Sequence, residues 1–524
     1  MQKRSRFESH PLQRAFSKEE DSLHQSRERA SQSRVRQAEH AAFAIGWDLN
    51  KLIPPNAVLM RTLFDGKGKL HFWAVQRTAN GLRILSRKTS QTDAFGRLRV
   101  AVFAFDLAVE RIWVSSMTAP GTEVLNAAQL DLLNFLGDLA SGKQLVEDDE
   151  GVQLIVSALY PLLERLQKTH PVLSQTGFRM LKGVLNDARA DQSRARRDVE
   201  LAFLHSWGEN LKRIRHCSSD SPLNRDARRR QQLDDATSSF CDEISREFSF
   251  PEVFSETQGI IDWAQQDLIF QFQWMLWSCP VSSVLFGGKP LFQQVCSITN
   301  VISLSWMDQS VGHANASIKN DTKTILSAQW LSESDWRRPM RGLALLHESV
   351  LRSAEKFDWQ VTGLADTPKA SRDNLLACQN QEDPCSIIVV GGHGSSRSFG
   401  VQLADGPWIG DGMKFTPGQV LILAACGVGR LEQEDFSGIA GLYAHLAAGG
   451  CDTVVSAKWP IADTEASQVA AEFIHTVMEN HAAGEFEKLF SKSRALNATK
   501  KKLFTLEHGP SLNLLSAFEL YGVG

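Results

Sequence analysis

Residues 386–400 read SIIVVGGHGSSRSFG: four apolar residues run into two glycines, a histidine and a third glycine. Residues 419–430, QVLILAACGVGR, repeat the pattern with a cysteine in place of the histidine. Both runs are continuously apolar rather than alternating, which is how a strand reads when both of its faces are covered. In open parallel sheets, ligands and chemistry sit beyond the carboxyl ends of the strands. His393 and Cys426 each follow such an end. If the two strands are neighbours, the imidazole and the thiol share one edge of the sheet. An adjacent imidazole lowers a thiol's pKa and can hold a thiolate–imidazolium pair. The flanking glycines let the backbone turn sharply and let a substrate carbonyl approach main-chain N–H groups. The N–H groups of Gly394 and Cys426 are then the candidates for an oxyanion hole.

The same pattern has a second reading. In nucleotide-binding and flavodoxin-like sheets, glycines after a strand cradle phosphate, and a cysteine there is a passive core residue. Spacing alone leaves both readings open. The sequence contains no G-x-S-x-G, Walker A, G-x-G-x-x-G or H-E-x-x-H motif. His393, Cys426, His445 and Cys451 match no familiar metal-ligand spacing, so no metal is expected.

Outward from these strands, the final half of the chain alternates apolar runs with helical patterns. Strands are predicted at 273–280, 324–330, 359–364, 386–392, 419–425 and 452–459. Helical patterns lie between them, as in RGLALLHESVLRSAEK (341–356) and GIAGLYAHLAAGG (438–450). After Asp463, the residues Ala466, Val469, Ala470, Phe473, Ile474 and Val477 share one helix face, and Asp463 or Thr464 can cap its first turn. The sum predicts a parallel, doubly covered α/β sheet.

Upstream, NAVLMRTLFDGKGKLHFWAVQRTANGLRILSRK (56–88) carries Asp65-Gly66 and Asn80-Gly81, both hairpin signals, and predicts a small β-meander over about 55–105. Helical spacing follows at 126–140 and 152–167. Residues 170–265 are charged and helical in pattern, with a loop near Ser218–Pro222, and the run Arg228–Arg230 reads as a solvated helix face. The expected division is therefore a flexible charged tail (1–40), a β-meander plus helices (41–150), a charged helical accessory region (151–261) and an α/β domain (262–524).

Bulk properties exclude several classes. The 524 residues suffice for two to four domains at roughly 100–200 residues each. Hydrophobic content of 43% and charged content of 22% are ordinary for a soluble globular protein. A net charge of −3 argues against a whole-protein binder of nucleic acid. The eight cysteines form no C-x-x-C pair and no disulfide framework, which fits reduced thiols in a cytoplasm. The first residues lack the apolar segment of a secretory signal, and no run of about 18 apolar residues predicts a membrane span.

From Ile387 to Gly522 the order IIVVGGHG, VLILAACGVGR, GIAGLYAHLAAGGCDTVVSAKWPIADTEA and AFELYG resembles CHAT-domain proteins, the caspase-like cysteine peptidases related to separase. In that family an apolar strand precedes a His-Gly, and a second strand ends in a small-residue pair and the cysteine. A helix ending in Ala-Gly-Gly, a strand ending in Trp-Pro and an Asp before the next helix then follow, all in this order here. Residues 274–307 and 342–356 are similar to the family's earlier strand and helix, so the resemblance spans 262–524; the strands within 41–105 look like those that often precede such domains. It implies a caspase-like, parallel-dominated sheet covered by helices on both faces. It also implies His393 and Cys426 as the catalytic dyad, with Trp459 and Asp463 lining an S1 pocket. One departure is Ala424, two before the cysteine, where related metacaspases carry an Asp that binds a basic P1 side chain. The resemblance implies a cysteine endopeptidase with a protein substrate and no cofactor. In bacteria such enzymes act in antiphage defence or programmed cell death, with gasdermin-like pore formers as one substrate class. The N-terminal half would then bind a regulatory partner. Two alternatives are a catalytically silent scaffold and a nucleotide-binding α/β protein. Covalent labelling of Cys426 separates the first from an enzyme, and a thermal shift with nucleotides identifies the second.

Overall fold

The computed structural model describes residues 52–64, 70–90, 222–248, 261–272, 279–286, 288–315, 322–329, 341–364, 369–379, 385–392, 394–395, 400–425, 432–434, 438–440, 442–459, 463–486, 488–506 and 509–523, with a few single positions and short pairs between them. The chain forms two compact units. One comprises Met1–Trp47, Glu110–Ser221 and Gln433–Ile439, almost all of it outside the described residues. The other comprises Asp48–Val109, Pro222–Glu432 and Ala440–Gly524 and is the subject below.

Its centre is one sheet of eleven strands. In chain order these are β1 (Ala57–Phe64), β2 (Leu70–Thr78), β3 (Gly81–Thr89), β4 (Asp267–Gln271), β5 (Ser297–Asn300), β6 (Thr324–Gln329), β7 (Gln360–Leu364), β8 (Ile387–Gly391), β9 (Val420–Ala424), β10 (Thr453–Ala457) and β11 (Phe518–Gly522). Across the sheet the order is β3-β2-β1-β4-β5-β11-β10-β9-β8-β6-β7. The strands β7, β6, β8, β9 and β10 all run parallel. β11 runs antiparallel to β10, and β5, β4 and β1 run with β11. From β7 to β1 the sheet is therefore two parallel blocks that meet head to tail at β10–β11, and β2 and β3 add to it as an antiparallel hairpin. Every residue of β8, β9, β10 and β11 is buried, which requires cover on both faces.

Helices supply that cover: α1 (Pro222–Phe248), α2 (Leu304–Asn315), α3 (Arg341–Phe357), α4 (Arg372–Gln379), α5 (Leu442–Ala448), α6 (Asp463–Ala482), α7 (Ser491–Phe504) and α8 (Leu512–Ala517). In α3 the buried apolar side chains are Leu343, Leu346, Val350 and Ala354, the spacing of one apolar face. In α6 the six residues expected on one face are all buried. The connection β6–α3–β7 steps toward the sheet edge, whereas β7–α4–β8 steps back across β6. Right-handed crossovers then put α3 and α4 on opposite faces.

The meander is not a separate layer. Its turn at Thr78–Gly81 forms as expected, with Gly81 at φ +108 and the Thr78 hydroxyl donating to the Gly81 carbonyl at 2.8 Å. β1 then pairs in parallel with β4 from Ala57↔Asp267 to Arg61↔Gln271, so the first strands continue the main sheet. Asp65-Gly66 and the helices expected at 126–140 and 152–167 lie outside the described residues.

Five of the expected strands form β6 to β10. Of the sixth, at 273–280, residues 273–278 lie outside the described residues; the strand seen here is β4, just before them. β5 and β11 have no counterpart in the apolar pattern because each buries polar residues that find partners inside. Ser297 Oγ donates to Asp267 Oδ1 at 2.7 Å, and Asn300 Nδ2 donates to Glu519 Oε2 at 3.1 Å. The charged stretch that becomes α1 starts at Pro222, a residue suited to a first helical turn. It buries Leu233, Thr237, Phe240, Cys241 and Ile244. Its Arg230 stays half exposed and reaches Glu465 at 2.5 Å.

Candidate active site

The register of the parallel block decides what meets at its carboxyl edge. Gly391, the last residue of β8, lies opposite Ala424, the last residue of β9. On its other side Gly391 lies opposite Gln329, the last residue of β6. Leu423 lies opposite Ser456 in β10. Four strands thus end level. One further bond extends the ladder, from the Gly392 N–H to the Ala424 carbonyl at 3.4 Å. The chain direction also reverses here, because β8 and β7 flank β6 on opposite sides. That is the switch point at which open α/β sheets place their ligands.

Glycine is needed at this edge for steric reasons. A Cβ on Gly392 would run into the Gln402 carbonyl, and one on Gly391 would meet Leu343 Cδ2 at 2.8 Å. What crowds Gly392 is a small antiparallel sheet of Gly394–Ser395, Gly400–Leu403 and Gly406–Trp408. Gly394 pairs there with Val401. Trp408, the last residue of its third strand, pairs with Val401 and is fully buried, and Arg372 of α4 anchors the following turn through Asp411 at 2.6 Å.

His393 and Cys426 lie outside the described residues. Each follows by two positions a residue of the paired couple Gly391 and Ala424. Of the other expected site residues, Gly394 is in the small sheet just described. Trp459 is 4% exposed, edge-on to Phe105 at 5.0 Å, and its indole N–H donates to Asn513 Oδ1 at 3.4 Å. It sits as a core side chain just beyond β10. Asp463 is the first residue of α6, and its side chain lies outside the described residues.

Five of the six described cysteines are poor nucleophiles. Burial pushes the Cys279 thiol up to about 12 and the Cys385 thiol up to about 11. Burial also raises the thiols of Cys241, Cys296 and Cys451. The Cys451 thiol donates to the Thr453 carbonyl at 3.5 Å. Among the described residues no group of His, Cys, Asp and Glu could hold a metal ion. No helix among them is long and apolar enough to cross a membrane.

Sequence reasoning missed two features of this edge. The first is Gln329, fully buried, whose amide donates to Ser327 Oγ at 3.0 Å while its Oε1 has no partner among the described residues. The second is a buried charge cluster beside the end of β10. The Lys458 ammonium donates to the Cys279 carbonyl at 2.6 Å. The Lys500 ammonium donates to Ser282 Oγ at 2.8 Å and stands 3.9 Å from Glu519. Ser282 in turn donates to Glu519 Oε1 at 2.7 Å. Burial lowers the pKa of Lys458 and takes Lys500 down to about 8. The one available signal was Lys458 itself, a cation set directly after a fully apolar strand.

No family model matches the sequence. No curated protein matches it either. Solved structures do. The Saccharomyces cerevisiae separase–securin complex aligns with 91% of this chain at 12% identity and a TM-score of 0.41, and a second structure of that complex gives 12% and 0.38. This chain spans 30% of the separase chain in each. Gingipain R, an Arg-specific cysteine proteinase, aligns over 55% of this chain and 67% of its own at 9% identity and a TM-score of 0.34. At scores and identities this low, such likeness is no evidence of shared chemistry.

Proposed function

We propose that this chain is a caspase-like cysteine endopeptidase whose dyad is His393 and Cys426. The observation that carries the reading is the pairing of Gly391 with Ala424 on adjacent parallel strands, each two residues ahead of one member of the dyad. The raised thiols of five described cysteines favour a nucleophile elsewhere, and the sequence resemblance points to Cys426.

In this reading His393 takes the Cys426 proton, and the thiolate Sγ attacks the carbonyl carbon of the scissile peptide. The tetrahedral oxyanion accepts hydrogen bonds from the Gly394 and Cys426 N–H groups. His393 returns the proton to the leaving amine as the C–N bond breaks. Water, deprotonated by the same imidazole, then hydrolyses the thioester and restores the thiol. Asp463 and Trp459 are proposed at S1, Trp459 through the back of the pocket because its ring is buried. With Ala424 in place of an acid, a strict Arg or Lys preference at P1 is not part of the proposal.

The substrate class is a protein. A neighbouring effector such as a gasdermin-like pore former, cut in antiphage defence or cell death, is the finer proposal, as is a regulatory partner on the N-terminal half. The test is co-expression of wild type and Cys426→Ala with each protein encoded beside this one, with fragments read by intact mass. A fragment seen only with wild type is expected and gives P1 directly. Identical cleavage by both forms would remove Cys426 from the mechanism. If neither form cleaves, labelling of Cys426 by a peptide acyloxymethyl ketone decides, and failure to label sinks the enzyme reading.

A further inference from the structure

On the helical cover of the sheet, α3 and α6 enclose a groove of about 540 Å³. That volume suits a small molecule rather than a folded partner. On the α3 wall, Ser349, Arg352, Ser353 and Lys356 recur at three- and four-residue spacing and so face the groove together. Arg352 and Lys356 have no carboxylate partner among the described residues. Among the described residues the Arg352 guanidinium donates only to the Ser349 hydroxyl, at 3.2 Å. The Lys356 ammonium donates to His475 Nε2 at 3.4 Å. An ammonium can only donate, so Nε2 accepts, and His475 Nδ1–H donates to Ser353 Oγ at 3.1 Å. This chain leaves the Ser353 hydroxyl proton available to a further acceptor. Among the described residues the one carboxylate lining the groove, Glu472, is already held by Lys502 at 2.5 Å.

The floor supplies an independent observation. Ser467 of α6 is 2% exposed and lines the groove, yet its hydroxyl has no hydrogen-bond partner among the described residues. Buried hydroxyls are ordinarily paired, and one left unpaired costs stability. Lys356 also lies over the Phe357 ring, 4.7 Å from its centroid. Two cations without a carboxylate partner among the described residues, beside spare hydroxyl donors, form a receptor for an anion with several acceptor oxygens, which Arg binds in bidentate fashion.

We propose that this groove binds a phosphoryl-bearing small molecule, with Arg352 and Lys356 holding its charge and Ser353 and Ser467 donating to its oxygens. The site is independent of the peptidase reading, and binding is measured without any cleavage. The probe is inorganic tripolyphosphate, titrated calorimetrically into the full chain at constant ionic strength. One-to-one binding is expected. Arg352→Ala with Lys356→Ala should weaken it by about tenfold or more, since each removes a charge-assisted hydrogen bond. Both side chains are exposed, so the fold should survive, and circular dichroism checks that it does. Ser467→Ala tests the floor and should also weaken binding. Lys488→Ala, an exposed lysine outside the groove, should not. Sedimentation with phosphatidic-acid vesicles, using the same variants, tells a lipid headgroup from a free phosphate compound. No binding at millimolar tripolyphosphate, equal binding by the double variant, or equal competition by hexaglutamate would each overturn the proposal.

Discussion

Lys500 shows how a single residue sets a pH dependence. Its ammonium is buried beside Glu519 and takes up that burial at a cost, so its pKa falls from 10.5 to about 8. Below pH 8 both the folded and unfolded chains hold the proton, and the full penalty is present. Between about pH 8 and 10.5 the unfolded chain still binds a proton that the native state has released, so stability from this group rises with pH. Chemical denaturation of wild type and Lys500→Met across that window should show the wild type gaining on the variant by about 3 kcal/mol. Parallel curves would mean that the Lys500 ammonium stays protonated in the native state. The neighbouring edge is governed by contact rather than charge. Gly392 must lack a side chain because the Gln402 carbonyl already occupies the space.

Between elements, the tie from α7 to β4 is a good test of packing energetics. Arg494 reaches Asp267 Oδ1 at 3.0 Å and Oδ2 at 2.6 Å, and the carboxylate is almost fully buried at the start of its strand. The carboxylate also accepts from Ser297 Oγ, so β4, β5 and α7 converge on it. Removing one partner of a buried pair costs about 3–5 kcal/mol. The Arg494 side chain is 42% exposed, which screens the pair, so Arg494→Met should cost about 2 kcal/mol. Asp267→Asn combined with Arg494→Met should cost less than the sum of the single changes, because neither then leaves a lone buried charge. Strict additivity in urea melts would show that the two groups are not coupled.

For the whole molecule the decisive fact is that β1 continues the sheet beyond β4. The extent of the sequence resemblance placed a boundary at 261/262, and the ladder from Ala57 to Arg61 pairs strands on its two sides. A chain beginning at residue 222 would expose β4, DLIFQ, as an open edge whose first four residues are buried in the intact fold. Such edges pair with other chains. The shortened protein should therefore aggregate or oligomerise, as read by light scattering after gel filtration. A soluble monomer with a cooperative melt would show that the sheet is self-sufficient from β4 onward, and would support the boundary expected from the resemblance.

The strands β6 to β10 and the helices α3 and α6 were legible in the sequence because their signals are local: unbroken Val, Ile and Leu runs, glycine punctuation, and apolar residues at helical spacing. The hairpin turn at Asn80-Gly81 was legible for the same reason. β5 and β11 were not, because SITN and FELYG bury polar side chains whose partners come from distant segments. The Lys458, Glu519 and Lys500 cluster and the unpaired hydroxyl of Ser467 were invisible on the same ground. The sequence by itself determined which segments extend or coil and which two strand ends carry the histidine and the cysteine. Only the tertiary structure decided that those strands are neighbours in register, that the block reverses at β10–β11, and that strands from the first ninety residues complete the sheet. Strand order and register are set by pairing and burial between segments far apart in the chain, and no local pattern of residues encodes that choice.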